Sequence, residues 1–566
     1  MPALPMRITL AASTVACLFT ALALIAAETN EPFGIGSCHI NNRTAQDNAR
    51  WVPQMEAIGL RHDRTAQTAW GAVEPEEGKW RWDALDAQLA YLKEHSFTVG
   101  GLFLSTPGWN KLDKPGTLPV NNLAGWSRYV SAVVGHTKGS IKDWEVWNEP
   151  PNFTGKDQTP ADYAKLVVAS YDAAKAADPS CRIGLAAKSA HINYLEQTIK
   201  AGARGHYDYV TLHPYELLDG VAEDAGTEPL FMNIVPVLRK MLAAQDPSKA
   251  DVPVVFTELG VDAKKGLETQ AAALVKAYTM GIAQGVACIH WFEGRDGDSG
   301  PMGLLDGKGQ PRPAYAAMQR MIKHLGQRPE YLGWVLLDGR HYGFVFRGTA
   351  GPVLVTWAHG KGTAFAAPAK AIDTLTGEAR TEVTNVPVIV FDPPETLLKQ
   401  AATNKGRRLP WGGDFSAAKS VSLRYADGRA EAKGLHALSG DAIASAVTVY
   451  GGSARAGDVP GGNVFAVDPA FLSYSAQPIE ITVVVRRNEA NDNAGFKLTY
   501  ESTTGLKNAK AGWYTVPDNK KWHVMRWRIE DAQFVNYWGY NFALVSDGPK
   551  FAKYYLQSVT VTKLDK

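Results

Sequence analysis

Cysteine is scarce: four residues in a chain of 566, and only Cys38, Cys181 and Cys288 once an apolar N-terminal run carrying Cys17 is set aside. This odd, scattered set has none of the paired spacings of a zinc site or a disulfide framework, so the thiols read as buried free cysteines. Charge of one sign is scarce as well. The 59 basic and 57 acidic residues leave a formal net charge of +2, with no long single-sign run, and nothing in that balance recruits nucleic acid or an anionic membrane surface. Internal repeats and low-complexity tracts are lacking too, which excludes a repeat array. Aromatic residues, by contrast, are plentiful, with 16 Trp and 21 Tyr. Trp packs well against the apolar face of a sugar ring or in the core of a β-domain; composition leaves both uses open, and the charge balance points to a neutral partner.

The first 27 residues hold one Arg at position 7, a charge-free apolar run over 8–27 and small residues before Glu28. This is the pattern of a secretory signal, and it predicts a secreted or periplasmic protein with no membrane contact after the signal is removed. The same run, residues 8–27, is about long enough for an uncleaved membrane anchor, which is the alternative reading.

From Phe33 to about residue 325, short β-like runs alternate with helical patterns, the signature of βαβ units around a parallel sheet. Eight runs stand out: FGIGSCHI (33–40), GLRHD (59–63), TVGGLFL (98–104), IKDWEVW (141–147), RIGLAAK (182–188), YVTLHPY (209–215), VPVVFTE (252–258) and GVACIHWF (285–292). The segment DYAKLVVASYDAAKAA (162–177) places Tyr163, Leu166, Val167, Ser170, Tyr171 and Ala174 on one helical stripe. The expected fold is α/β, a (β/α)8 TIM barrel over 28–326. Short strands and glycine turns over 327–396 predict a small antiparallel β-sandwich. A linker, AATNKGRRLPWGGD, then leads into a jelly-roll-like β-sandwich within 397–566. The aromatic clusters WYTVPDNKKWH and FVNYWGYNF, with Trp513, Tyr514, Trp522, Tyr537, Trp538 and Tyr540, leave that last segment two roles: a carbohydrate-binding module, or a packing brace for the barrel.

Working residues in such a barrel sit at the C-terminal ends of the strands. The exits carry Arg61, His62 and Asp63 at strand 2, Trp109 after strand 3, Asn148 and Glu149 at strand 4, His213 and Tyr215 at strand 6, Glu258 at strand 7, and His290, Trp291, Phe292 and Glu293 at strand 8. In KDWEVWNEPPN, strict alternation puts Asp143, Glu145, Trp147 and Glu149 on one face, and Pro150 ends the ladder. A sugar acetal has neither an acidic proton nor an electrophilic carbonyl. Its cleavage therefore needs one group to protonate the leaving oxygen and another to meet an oxocarbenium-like centre. Two glutamates across a barrel mouth supply both. Glu145, two residues deeper, is expected to pair with a buried basic group. His213 and Tyr215 are expected to line the site, His62 and His290 to be hydrogen-bonded core histidines, and Trp109 and Trp291 to offer flat apolar faces to a pyranose.

WNEP (147–150), VVFTELG (254–260) and WGAVEPEEGKWRWDALD (70–86) together resemble the large clan of (β/α)8 glycoside hydrolases whose catalytic glutamates lie on strands 4 and 7. The third motif is similar to the segment after strand 2 in family 39 and its relatives. The resemblance implies that Glu149 is the acid/base and Glu258 the nucleophile. It also implies that Asn148 contacts the sugar 2-hydroxyl, that Arg61 and Tyr215 orient Glu258, and that Trp291 floors the subsite of the attacked sugar. No cofactor and no metal are expected: Asp296 and Asp298 lie in a Gly/Asp-rich loop whose spacing does not fit a twelve-residue calcium loop. The function expected is a secreted retaining β-glycosidase of polysaccharide or oligosaccharide. A transglycosylase with the same glutamates and a non-catalytic carbohydrate-binding protein are the alternatives.

Overall fold

A computed structural model describes residues 31–36, 45–297, 299–359, 363–438, 447–450, 452–488 and 493–565. The N-terminal apolar run, Cys17, Cys38, the SCHI end of the first strand and Asp298 lie outside them. Among the described residues no helix is long and apolar enough to cross a membrane, and Cys181 and Cys288 are free thiols.

Eight parallel strands close into a barrel in sequence order: β1 Phe33–Gly36, β2 His62–Thr65, β3 Thr98–Phe103, β4 Ile141–Val146, β5 Arg182–Lys188, β6 Tyr209–His213, β7 Val254–Leu259 and β8 Cys288–Phe292. Closure is made by β1 on β8, with Gly34 opposite His290. The strands are mostly buried on both faces, as parallel strands covered by helices must be. The helix Pro160–Ala177 shows how the ring is locked. Thr159 and Asp162 form a reciprocal capping box with Pro160 at the first helical position, and Tyr163, Leu166, Val167, Ser170 and Ala174 are buried as the periodicity predicts. Tyr171 is only half-buried. The Tyr163 hydroxyl donates to the Val146 carbonyl at 2.8 Å and accepts the Ala186 amide at 3.0 Å, tying the helix to the ends of β4 and β5.

Antiparallel sheets follow. A six-stranded sheet spans Glu330 to Phe391. The predicted linker is partly a helix, Glu395–Asn404, whose Leu397, Leu398 and Ala401 pack on that sheet. Gly333, at φ +140°, passes so close that a Cβ would run into the Ala401 carbonyl, so only glycine fits. A twelve-stranded antiparallel sheet over Ser420 to Lys563 then encloses its own apolar core. It docks against the barrel through polar contacts: Asn193 Nδ2 donates to the Ser502 carbonyl and to Gln533 Oε1, both at 2.7 Å, and Gln533 Nε2 donates to Glu196 Oε2 at 3.1 Å.

Candidate active site

β4 stops at Val146, and the chain turns through positive φ at Trp147 (66°) and Glu149 (49°). The expected alternation therefore fails at Trp147. Its indole is buried against Trp126, ring centroids 6.0 Å apart, and Nε1 donates to the Phe153 carbonyl at 2.9 Å. Left-handed backbone at two non-glycine residues costs on the order of 1 kcal/mol each, and that turn brings the Glu149 carboxylate toward the centre. Glu258 arrives from β7, whose pairing with β8 slips between Phe256 and Leu259. Oxygens of Glu149 and Glu258 and a ring nitrogen of His213 all lie within 4.8 Å of one another.

Arg64 is the cation of the site. It is 9% exposed and spends all three faces of its guanidinium: Nε on Glu145 Oε2 at 2.6 Å, Nη1 on Glu258 Oε1 at 2.5 Å and Nη2 on Asn148 Oδ1 at 2.8 Å. Glu145 thus meets the buried basic partner expected of it, and it also accepts the Thr211 and Thr257 hydroxyls at 2.8 and 3.1 Å. Burial alone would push Arg64 toward neutrality, but the Glu145 and Glu258 charges outweigh it and hold the guanidinium firmly protonated.

His213 is 1% exposed and bridges the carboxylates. Nδ1 lies 2.9 Å from Glu149 Oε1 and 3.7 Å from Glu258 Oε2, and Nε2 lies 2.9 Å from Thr257 Oγ1. The Thr257 hydrogen is already given to Glu145, so Nε2 must be the donor and Nδ1 shares a proton with Glu149. Burial opposes charge on His213, yet Glu258's charge and the hydrogen bond to Glu149 leave its pKa raised. Glu149 responds in the opposite sense. Burial raises its pKa, but His213, with help from Asn152 and Lys188, brings it below the ordinary carboxylate value. Both ring nitrogens of His213 are engaged within the protein, so the cluster is poorly suited to a metal ion.

Of the residues expected at the site, Glu149, Glu258, Asn148, His213 and Tyr215 come together, Tyr215 donating to Glu258 Oε2 at 3.3 Å. Arg61 does not. It precedes β2, and its Nη1 donates to the carbonyls of Glu56 and Leu60 at 3.0 and 2.7 Å; the orienting role expected of it geometrically belongs to Arg64. Trp109 is half-buried, Nε1 held by the Glu74 carbonyl at 2.8 Å and its ring edge-on to Trp70. Trp291 is fully buried and presents no open face. Asp296 is paired with Arg312 at 2.5 Å, which explains its place in the loop without calcium. His290 is buried and driven strongly toward neutrality, by burial first and by His62, Arg64 and His213 next.

Residues 64–321 match the family model described as glycosyl hydrolase family 10. An endo-1,4-beta-xylanase A of Phanerodontia chrysosporium is 26% identical over 150 residues, 24% of this chain and 36% of that protein; the chain thus spans about a third of that relative. Among solved structures, a family 39 glycoside hydrolase from Bacteroides cellulosilyticus superposes with a TM-score of 0.53 at 19% identity, covering 64% of this chain and 81% of that one. A glucosidase from Croceicoccus marinus covers 95% and 97% at 10% identity and a TM-score of 0.43. The barrel therefore shares the (β/α)8 fold of these glycoside hydrolases. Its sequence matches the family 10 model over residues 64–321, and its backbone superposes on a family 39 enzyme.

Proposed function

We propose that the protein is a retaining β-glycosidase of polysaccharide or oligosaccharide, with Glu258 as nucleophile and Glu149 as acid/base. The observation that carries this reading is the approach of the two carboxylates to within 4.8 Å. Retaining enzymes hold their pair about 5 Å apart, whereas inversion needs several ångströms more for an intervening water. Glu258, with Arg64 on one oxygen and Tyr215 on the other, attacks the anomeric carbon as Glu149 gives its proton to the departing oxygen. The C–O bond to the leaving group breaks and a glycosyl ester forms on Glu258. Glu149 then takes a proton from water, whose oxygen displaces the ester from the opposite face. Two inversions give retention. Asn148 Oδ1 is taken by Arg64, so its amide NH2 is the group left to donate to the sugar 2-hydroxyl.

For the substrate, the family 10 match and the similarity to a xylanase favour a β-1,4-xylan or its oligosaccharides, acted on outside the cytoplasm as the N-terminal run predicts. Proton NMR of the first-formed product from a β-xylo-oligosaccharide tests both points. A β-anomer is expected; an α-anomer overturns the double displacement, and turnover confined to other β-glycosides overturns the choice of sugar.

A further inference from the structure

One loop of the C-terminal domain reaches the rim beside Glu149. Glu501 is fully buried, and its carboxylate accepts the amides of Val535, Asn536 and Tyr537 at 2.9, 3.0 and 2.8 Å and the Asn541 side chain at 2.8 Å. That anchor fixes the loop from behind. In front, the loop meets the residues that follow β5. Tyr537 stacks on His191 with ring centroids 4.1 Å apart, the Ser189 hydroxyl donates to the Tyr537 carbonyl, and Lys188 Nζ lies 4.7 Å from the centre of the Trp538 ring. Lys188 is itself adjacent to the acid/base turn, its amide donating to the Pro150 carbonyl at 3.0 Å. On the other side, Gly539 sits against the carbonyl of Glu216, next to Tyr215.

This flank has the chemistry of a sugar site. Glu149 protonates the leaving group, so a wall on the side of Glu149 away from Glu258 and His213 would meet the leaving group. Asn152 Nδ2 donates to Glu149 Oε2 at 3.3 Å, and Phe153 in the same turn is 59% exposed. Trp538 is half-buried, with an indole face of the kind pyranose rings stack on. Lys188 Nζ lies over the Trp538 ring, and its charge also acts on Glu149. A brace would need Tyr537 and the hydrogen bonds around it; it would not need a cation and an indole at the rim of the acid/base turn.

We propose that Trp538 and Lys188 form the wall of a leaving-group subsite, so that the C-terminal domain determines how the barrel reads the sugar chain beyond the cleaved bond. This deepens the glycosidase reading and rests on it. The ligand class is a β-linked chain with at least one sugar on the leaving-group side, the indole taking its apolar face and the ammonium its hydroxyls.

The test uses the full-length protein. kcat/KM is measured for wild type, Trp538→Ala and Trp538→Phe on two substrates of the same sugar: an aryl β-glycoside, whose leaving group is not a sugar, and a linear oligosaccharide of three or more units. Trp538→Ala is expected to lower the oligosaccharide-to-aryl ratio about tenfold, the effect of losing one stacked ring, mainly through KM and with altered bond choice. Trp538→Phe should restore most of the ratio. If Trp538→Ala changes both substrates by one common factor, with or without a lower melting temperature, or changes neither, the subsite does not exist while the glycosidase reading stands. If the folded wild type hydrolyses no β-glycoside, the glycosidase reading fails first and the subsite falls with it.

Discussion

Replacing Arg64 with Met removes one cation that two buried carboxylates share. Glu145 is 2% exposed and Glu258 15%, and both lie within 2.6 Å of the guanidinium. Methionine fills much of the space but satisfies neither carboxylate, nor Asn148 Oδ1. Breaking a buried pair by removing one partner costs about 3–5 kcal/mol, and in a barrel of this size that lowers the melting temperature by roughly 10 °C. The three hydrogen bonds are not summed, because the orphaned groups relax together. The cost should depend on pH with a definite sign. A buried carboxyl left without its opposite charge disfavours the ionised form, which raises a folded-state pKa above the unfolded one. Such a group contributes stability below the unfolded pKa and loses it as pH rises through the folded pKa. The deficit should therefore be full near neutrality and shrink toward pH 4. Denaturant unfolding of wild type and variant across that range, followed by intrinsic fluorescence, measures it. A pH-independent deficit, or none at pH 7, would refute the argument that Arg64 neutralises the site. Arg64→Lys should recover part of the stability but little activity, because an ammonium cannot hold three acceptors in one plane.

Glu258→Gln is expected to lose turnover by several orders of magnitude with the fold intact, checked by kinetics alongside a thermal melt. Glu149→Ala should retain turnover mainly of substrates with good leaving groups and should respond to azide, detected as a glycosyl azide of retained configuration; no azide effect would unseat the assignment. His213→Asn removes the imidazole that stores the pair's proton, so the alkaline limb of kcat/KM should move to lower pH; an unmoved limb would show that His213 does not hold that proton. A chain ending at residue 396 exposes Asn193, Glu196 and Gln245, which now bond Ser502, Gln533 and Tyr474. It is expected to melt at lower temperature than the full chain, and an unchanged melt would deny the brace.

The barrel was legible because its signals are local. Buried parallel strands read as short apolar runs between helical patterns, and β5 matches its run residue for residue, Arg182 to Lys188. Site residues whose positions depend only on strand exits, Glu149, Glu258 and His213, were legible for the same reason. Arg64 was not, because the run GLRHD reads as a strand ending at Asp63. In the structure Gly59, at φ 96°, completes a turn first, and β2 starts three residues later at His62. That shift carries Arg61 to the wrong end and Arg64 to the mouth. Alternation misplaced Trp147 because the period of two holds only while φ stays in the β region, and at Trp147 it does not. The lowered pKa of Glu149 was out of reach for a related reason: burial alone would raise it, and the compensating group, His213, comes from β6, a distance that sequence does not show. Trp538 lay furthest out of reach, as no local pattern pairs residue 538 with residue 188.

The placement of His213 couples the two halves of the proposed reaction. In the resting site Glu258 is charged, and its field is the leading force keeping a proton on the His213–Glu149 pair. That proton is what the leaving group requires. Once Glu258 becomes an ester its charge is gone, and with it the leading force toward protonation of His213, 3.7 Å away, which leaves only the Glu149 contact to oppose burial. The pair then favours a neutral imidazole beside an ionised Glu149, which is the base that the incoming water requires. Arg64 cannot play this part, because its proton is held throughout. It fixes Glu258, Glu145 and Asn148 in place, while the shared proton at Nδ1 follows the charge on the nucleophile. On this argument the depressed pKa of Glu149 is a property of the site between turnovers, with the proton stored one hydrogen bond away on the imidazole.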